Sequence, residues 1–74
     1  MILKQFKNEY YRAMDLFPSF HSSHEGYAVL LEELHELWDE IRNEESKIAM
    51  KEEAIQIGAM ALKFIIDICD SNQI

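Results

Sequence analysis

Two groups of glutamates stand at helical spacing in this 74-residue chain, and they are the residues best suited to chemistry. In the first group, Glu33, Glu36 and Glu40 recur at three- and four-residue steps, so one helix would stack them along a single flank. The second group is Glu52 and Glu53. Glu53 lies at the edge of an otherwise apolar helical arc, where a carboxylate must be paired, protonated or bound to a metal. Like charges on adjacent turns repel each other, so these acids need either water or a cation.

If the helices that carry the two groups pack antiparallel, Glu33, Glu36 and Glu53 converge. Three carboxylates, with water completing the coordination, describe a site for Mg²⁺ or Mn²⁺. No cysteine or histidine stands at matching spacing, which argues against zinc. For the other acids of this region a solvated face is the simpler interpretation; they are Glu32, Asp39, Glu44 and Glu45.

The elements that must position these acids are predicted to be helices. Apolar residues recur at three- and four-residue steps, and two glycines and one proline leave little material for turns. The pattern predicts a first helix that ends at Pro18 and a second that Ser23 caps and that ends near Asn43. A third helix is predicted to begin at Ser46 and to run to about Asp70.

The third helix is apolar around most of its circumference, apart from a narrow polar strip in which Lys63 and Asp67 form an i, i+4 pair. Two other helices cover such a helix only in part, so we expect a homo-oligomer, a dimer or a tetramer, built around it. The predicted fold is all-α, with residues 1–74 as one domain and three-helix subunits that assemble into a multi-helix bundle. Trp38 and Cys69 are predicted to be buried.

The composition narrows the range of partners. The formal charge of −7 disfavours nucleic acid or an anionic membrane as a direct partner and favours cations or a basic protein surface. A single cysteine excludes an internal disulfide, and the apolar runs are too short to span a bilayer. Because polar residues follow the first three residues at once, no signal peptide is predicted, and we expect a soluble cytoplasmic protein.

The two acidic motifs, taken together, resemble those of a known family. Glu32-Glu33-x-x-Glu36, followed at a suitable interval by Glu53-x-x-Gln56, is similar to the EExxE…ExxD signature of MazG-like, all-α nucleoside triphosphate pyrophosphohydrolases. The resemblance covers most of the chain, from about residue 21 to residue 69, and the stretch from residue 24 to residue 33 also resembles small relatives of this family.

This resemblance implies an oligomeric helical enzyme that uses Mg²⁺ to split a nucleoside triphosphate into the monophosphate and pyrophosphate. It implies a carboxylate, Glu32 or a neighbouring acid, that orients the attacking water. It also implies a set of metal ligands, namely Glu33, Glu36, Glu53 and Gln56.

Two departures from the family pattern leave a second interpretation open. Gln56 stands where the family has aspartate, and a neutral amide binds a hard cation less strongly. The family fold has four helices, and this chain has room for three. The alternative is a catalytically weak or inactive acidic scaffold that binds a protein partner.

Three further residues are candidates for substrate contact, and each has a structural alternative. Phe20 would stack on a base, or it would plug the end of a helical bundle. His24, at the start of the second helix, would touch phosphate or serve only the helix end. Lys51, near Glu53, would bind phosphate or be solvated.

Overall fold

The computed structural model describes residues 1–70 and consists of helices joined by short connections. In chain order the elements are α1 (Ile2–Leu16), α2 (Ser23–Arg42), α3 (Lys47–Phe64) and a π-helical segment (Ile65–Asp70) that continues α3. The described residues contain no strand, so the predicted all-α class is confirmed.

Serine side chains begin both of the helices that carry the acids. Ser22, and not the predicted Ser23, caps α2: its Oγ accepts a hydrogen bond from Glu25 N at 3.1 Å. Ser46 caps α3 as predicted, because its Oγ accepts from Ala49 N at 3.1 Å. Each cap pairs an N–H that would otherwise have no partner in the first turn.

The helix α3 lies between the other two helices. It packs along both α1 and α2, whereas α1 and α2 hardly touch each other. A closed three-helix bundle would bring every pair of helices into contact around one core. This subunit is therefore more open, and the outer sides of α1 and α2 have no covering element within the described residues.

Two glycines allow α1 and α2 to lie close to α3. Gly58 on α3 lies against the ring of Phe6 on α1, and Gly26 on α2 lies against the ring of Phe64. A Cβ atom at either position would overlap the facing aromatic ring. The spacing between the helices thus depends on the absence of a side chain at these two positions.

Within residues 1–70 the buried apolar core is small, and it consists of Tyr10, Ala13, Ala59 and Met60. Trp38, predicted to be buried, is 55% exposed, and Cys69, also predicted to be buried, is exposed. Helix α2 packs on α3 alone, and α3 covers only part of the apolar stripe of α2. Trp38 therefore remains on the surface of the subunit.

The predicted pair of Lys63 and Asp67 is confirmed, and it is buried rather than on the surface. Only 2% of the Lys63 side chain is exposed, and its Nζ donates to Asp67 Oδ2 and, at 2.8 Å, to Pro18 O. Asp67 Oδ2 also accepts from Phe20 N at 3.0 Å. The loop of residues 17–22 thus folds over the polar strip of α3 and is held there by a charged pair.

Candidate metal site

The connection between α2 and α3 brings the two groups of glutamates side by side. Glu44 adopts a left-handed conformation with φ 56°, its N–H donates to Ile41 O, and Glu45 N donates to Glu40 O. These bonds turn the chain back within residues 43–46, so the C-terminal half of α2 lies beside the N-terminal half of α3.

Glu33 and Glu36 of α2 and Glu53 of α3 lie together in the folded chain. One carboxylate oxygen from each of the three lies within 4.8 Å of the other two. Glu33 and Glu53 are half-buried, and Glu36 is exposed, so the group opens to solvent on one side. The packing brings together the three acids that spacing predicted to converge, while their role as ligands stays a prediction.

The acids of this group have raised pKa values, first because they are partly buried and second because neighbouring carboxylates repel them. Burial and then the charge of Glu53 raise the pKa of Glu36. Burial raises the pKa of Glu53, and a hydrogen bond with Glu33 together with the charge of Glu33 raises it further. Burial is also the main cause of the raised pKa of Glu33; the hydrogen bond with Glu53 lowers this pKa, and the charge of Glu36 raises it. The cluster therefore holds protons more tightly than separate glutamates would, and a cation would compete with those protons.

Glu40 belongs to this cluster, and the sequence analysis did not assign it to the site. Its Oε2 atom is buried and pairs with no N–H or hydroxyl group among residues 1–70, while its carboxyl group lies within hydrogen-bond reach of the Glu53 carboxyl group. Burial, followed by the charge of Glu53, raises the pKa of Glu40. Helical spacing placed Glu40 on the same flank of α2 as Glu33, seven residues away, but only Glu33 and Glu36 were taken from that flank as ligands. We call Glu33, Glu36, Glu40 and Glu53 the acid cluster.

Gln56, a predicted ligand, lies against the acid cluster. With its amide oriented so that nitrogen faces the carboxylates, Nε2 donates to Glu33 Oε2 at 3.1 Å and to Glu53 Oε1 at 3.3 Å. In this orientation Gln56 is a donor that holds two carboxylates in place, and its oxygen points away from them. Its predicted role as a ligand would require the amide to turn over.

A cavity of about 210 Å³ opens beside Glu33. The loop of residues 17–22 forms one wall with Phe20, and α2 and α3 supply apolar walls through Val29 and Met60. Glu32, the predicted catalytic residue, also lines this cavity and is exposed. Two residues predicted from the sequence, Glu32 and Phe20, therefore lie around one cavity that adjoins the acid cluster.

The other two predicted substrate contacts lie elsewhere on the surface. Lys51 is exposed on α3, and its position two residues before Glu53 turns it about 200° around the helix from that acid. His24 is exposed in the first turn of α2. Neither residue lines the cavity beside the acid cluster.

Compared with known proteins, the chain matches no family model, no curated protein and no solved structure. The resemblance to MazG-like pyrophosphohydrolases therefore stays a prediction from motifs. No helix within residues 1–70 combines the length and apolar character needed to cross a membrane. The fold and the site together define a small all-α protein that carries a carboxylate cluster between two helices.

Proposed function

We propose that this protein is a Mg²⁺-dependent nucleoside triphosphate pyrophosphohydrolase that removes unwanted nucleotides in the cytoplasm and acts as a homo-oligomer. The observation that carries the proposal is the meeting of Glu33, Glu36 and Glu53 within 4.8 Å, on two helices that pack together. Mn²⁺, which takes similar oxygen ligands, would substitute for Mg²⁺.

The residues of the acid cluster fit a hard divalent cation. All four side chains offer carboxylate oxygens, the ligands that Mg²⁺ prefers. The ion pairs found within residues 1–70 include none of these four acids, so no lysine or arginine neutralises them. The buried Oε2 of Glu40, which pairs with no N–H or hydroxyl group among the described residues and otherwise faces the carboxyl group of Glu53, is an atom that a cation or its bound water would satisfy.

When bound, the cation would supply charge neutralisation for the phosphates and a water of lowered pKa. The chain's own residues would do the rest. Glu33, Glu36 and Glu53 would hold the cation, and Gln56 would fix two of these carboxylates through its amide N–H bonds. We assign the orientation of the attacking water to Glu32, which lines the cavity beside Glu33.

The cavity supports a nucleoside as the group attached to the phosphates. Its walls combine the aromatic ring of Phe20 with the apolar side chains of Val29 and Met60, which suits a flat base that stacks on a ring. Glu33 belongs both to this cavity and to the acid cluster. A base in the cavity would therefore leave its phosphates near the carboxylates that hold the cation.

Product analysis with a panel of nucleoside triphosphates and Mg²⁺ tests the proposed reaction. We expect the monophosphate and pyrophosphate as products, and Glu53→Gln should lower the rate by at least about 100-fold because it removes a charged ligand. Glu44→Gln removes the same charge from an exposed loop position and should leave the rate unchanged. No pyrophosphate from any substrate, or equal rates for wild type and Glu53→Gln, would contradict the proposal.

The second candidate function is an acidic scaffold without activity that binds a basic protein partner. Gln56 favours it, because its amide donates to Glu33 and Glu53 and so satisfies part of the cluster without any metal. Calorimetric titration with Mg²⁺ separates the candidates. Heat of binding in the wild type that disappears in Glu53→Gln supports the metal site, and negligible heat in both proteins supports the scaffold.

A further inference from the structure

Glu25 lines the cavity at the end away from the acid cluster. Glu25, Val29 and Glu32 all line the cavity and recur at four- and three-residue steps, so they share one face of α2. A rise of about 1.5 Å per residue places Glu25 about 12 Å along the helix from Glu33. This interval is close to the length of a nucleoside monophosphate. A nucleotide that lies along α2 with its phosphates at the acid cluster therefore brings its base towards Glu25.

Local hydrogen bonds hold the Glu25 side chain at the start of α2. Its Oε1 accepts from His21 N at 2.6 Å, and its own N–H donates to Ser22 Oγ at 3.1 Å, an arrangement close to a capping box. Oε2 makes no hydrogen bond or ion pair within residues 1–70, so it is left to accept from a ligand. Because one oxygen is already tied to the backbone, binding through the other costs little side-chain entropy.

The polar groups of the cavity favour a ligand that donates hydrogen bonds. Glu25, Glu32 and Glu33 carry carboxylates, which only accept when they are ionised, and no basic residue within residues 1–70 lines the cavity. Ser19 has a hydroxyl that donates or accepts, so it does not discriminate between ligands. An amino group on a base would donate to a carboxylate, whereas a carbonyl oxygen at the same position would face it with no proton between them.

We propose that Glu25 makes the protein selective for nucleotides whose base carries an exocyclic amino group, as cytosine and adenine do, over those with a carbonyl oxygen there, as in uracil and hypoxanthine. This inference rests on the proposed placement of the base in the cavity. Carboxylates accept in the same way from the amino group of cytosine where proteins read DNA. The Glu25 side chain is 46% exposed, so water competes for the bond and we expect a preference of about tenfold, below that of a fully buried bond.

Titrations with nucleosides test this selection without phosphate, metal or turnover. The probes are cytidine and uridine, which differ only at the edge of the base. The methyl signals of Val29 and Met60, which line the cavity, report binding by NMR. We expect the Kd of cytidine to be about tenfold below that of uridine, and adenosine and inosine to follow the same order. Equal Kd values within each pair, or methyl signals that shift with none of the four nucleosides, would overturn the proposal.

Glu25→Gln is the variant that isolates the role of this carboxylate. Its amide oxygen keeps the bond to His21 N, so the cap of α2 is retained and thermal melts should show a folded protein. The amide nitrogen then offers a donor to the base, so uridine should bind at least as tightly as cytidine. Glu44→Gln removes the same charge from an exposed loop position and should keep the wild-type preference. A preference for cytidine that persists in Glu25→Gln would overturn the assignment to Glu25.

Hydrolysis separates this inference from the proposed function. Release of pyrophosphate from CTP and UTP with equal kcat/KM would leave the pyrophosphohydrolase in place and overturn selection by Glu25. The expected preference among nucleosides, without release of pyrophosphate from any nucleoside triphosphate, would overturn the proposed reaction and keep Glu25 as the selecting group of a nucleotide-binding protein.

Discussion

Four carboxyl groups with raised pKa values are the main electrostatic feature of this protein. Glu53 stands at the centre, since it affects the pKa of each of the other three members, Glu33, Glu36 and Glu40. Such a group stores repulsion at neutral pH that protons or a cation relieve. Keeping these charges together costs free energy. For this reason we interpret the four acids as a site and not as a solvated face.

The first prediction concerns stability as a function of pH. The folded pKa values of these four acids lie above 4.5, their ordinary value, so the folded state binds more protons than the unfolded state just above that pH. Their contribution to the free energy of unfolding is present below pH 4.5 and is lost as pH rises through the raised values. Thermal melts without metal should therefore show stability falling as the pH rises above about 4.5.

If the acid cluster is the cation site proposed above, Mg²⁺ added at neutral pH should restore this stability, because it would bind the folded state and not the unfolded chain. Glu53→Gln serves as the control, since it removes the central charge and should flatten the dependence on pH and on Mg²⁺. Wild-type melts that do not respond to Mg²⁺ at neutral pH would contradict the cation site.

The second prediction concerns Glu40, the member of the acid cluster that spacing alone did not assign. Glu40→Gln removes one repelling charge, so the protein without metal should become more stable at neutral pH. The same change should weaken Mg²⁺ binding roughly tenfold, the effect of losing a group that supports the ligands. Calorimetry and thermal melts measure the two effects, with Glu44→Gln as the exposed control. Lower stability together with unchanged Mg²⁺ affinity would remove Glu40 from the site.

At the scale of helices and loops, local signals predicted some features and missed others. Ser46 was predicted as a cap, whereas in Ser22-Ser23 either hydroxyl could begin α2, and the backbone conformation decides in favour of Ser22. The pairing of Lys63 with Asp67 follows from their spacing, but its burial does not. That burial depends on the loop of residues 17–22, which is distant in sequence. A pattern within one helix does not predict such a contact.

The third prediction concerns the buried pair of Lys63 and Asp67. Lys63→Met removes an ammonium group that is only 2% exposed, together with its bonds to Pro18 O and to Asp67 Oδ2, which should cost about 3–5 kcal/mol of unfolding free energy. Urea denaturation measures this cost, and Lys47→Met, at an exposed position, should change stability by less than about 0.5 kcal/mol. If Lys63→Met does not fold, the result agrees with the large cost, while a loss below about 1 kcal/mol would contradict it.

The fourth prediction concerns the close approach of α1 to α3. Gly58→Ala places a methyl group in overlap with one edge of the Phe6 ring, and the shift it forces should cost about 1–3 kcal/mol in spite of the better helix propensity of alanine. Phe6→Leu should free space for that methyl group, so the double variant should lose less than the sum of the two single variants. Additive losses in urea denaturation would show that Gly58 and Phe6 do not compete for space.

At the scale of the whole molecule, the sequence predicted the class of the fold and three acids of the site, but not the cavity. Helical period and the connection between α2 and α3 suffice to bring Glu33, Glu36 and Glu53 together. The cavity needs the loop of residues 17–22 to lie over α3, and no local pattern describes that contact. Trp38 was predicted to be buried because an apolar stripe shows that a surface needs cover, without showing which element supplies it.

The fifth prediction follows from that uncovered surface and concerns stability as a function of protein concentration. If the proposed homo-oligomer forms through the exposed apolar residues of α2, which are Tyr27, Leu34, Trp38 and Ile41, mass action raises Tm with concentration, because only folded subunits associate. Melts over a roughly hundredfold range of concentration should show this rise for the wild type and for Ile48→Glu, a change at a position of α3 that is 71% exposed. Leu34→Glu should instead melt at one temperature throughout, and below the wild type at high concentration, since its subunits have no partner to stabilise them. A wild-type Tm independent of concentration would mean that the small core of one subunit carries the whole stability of the fold.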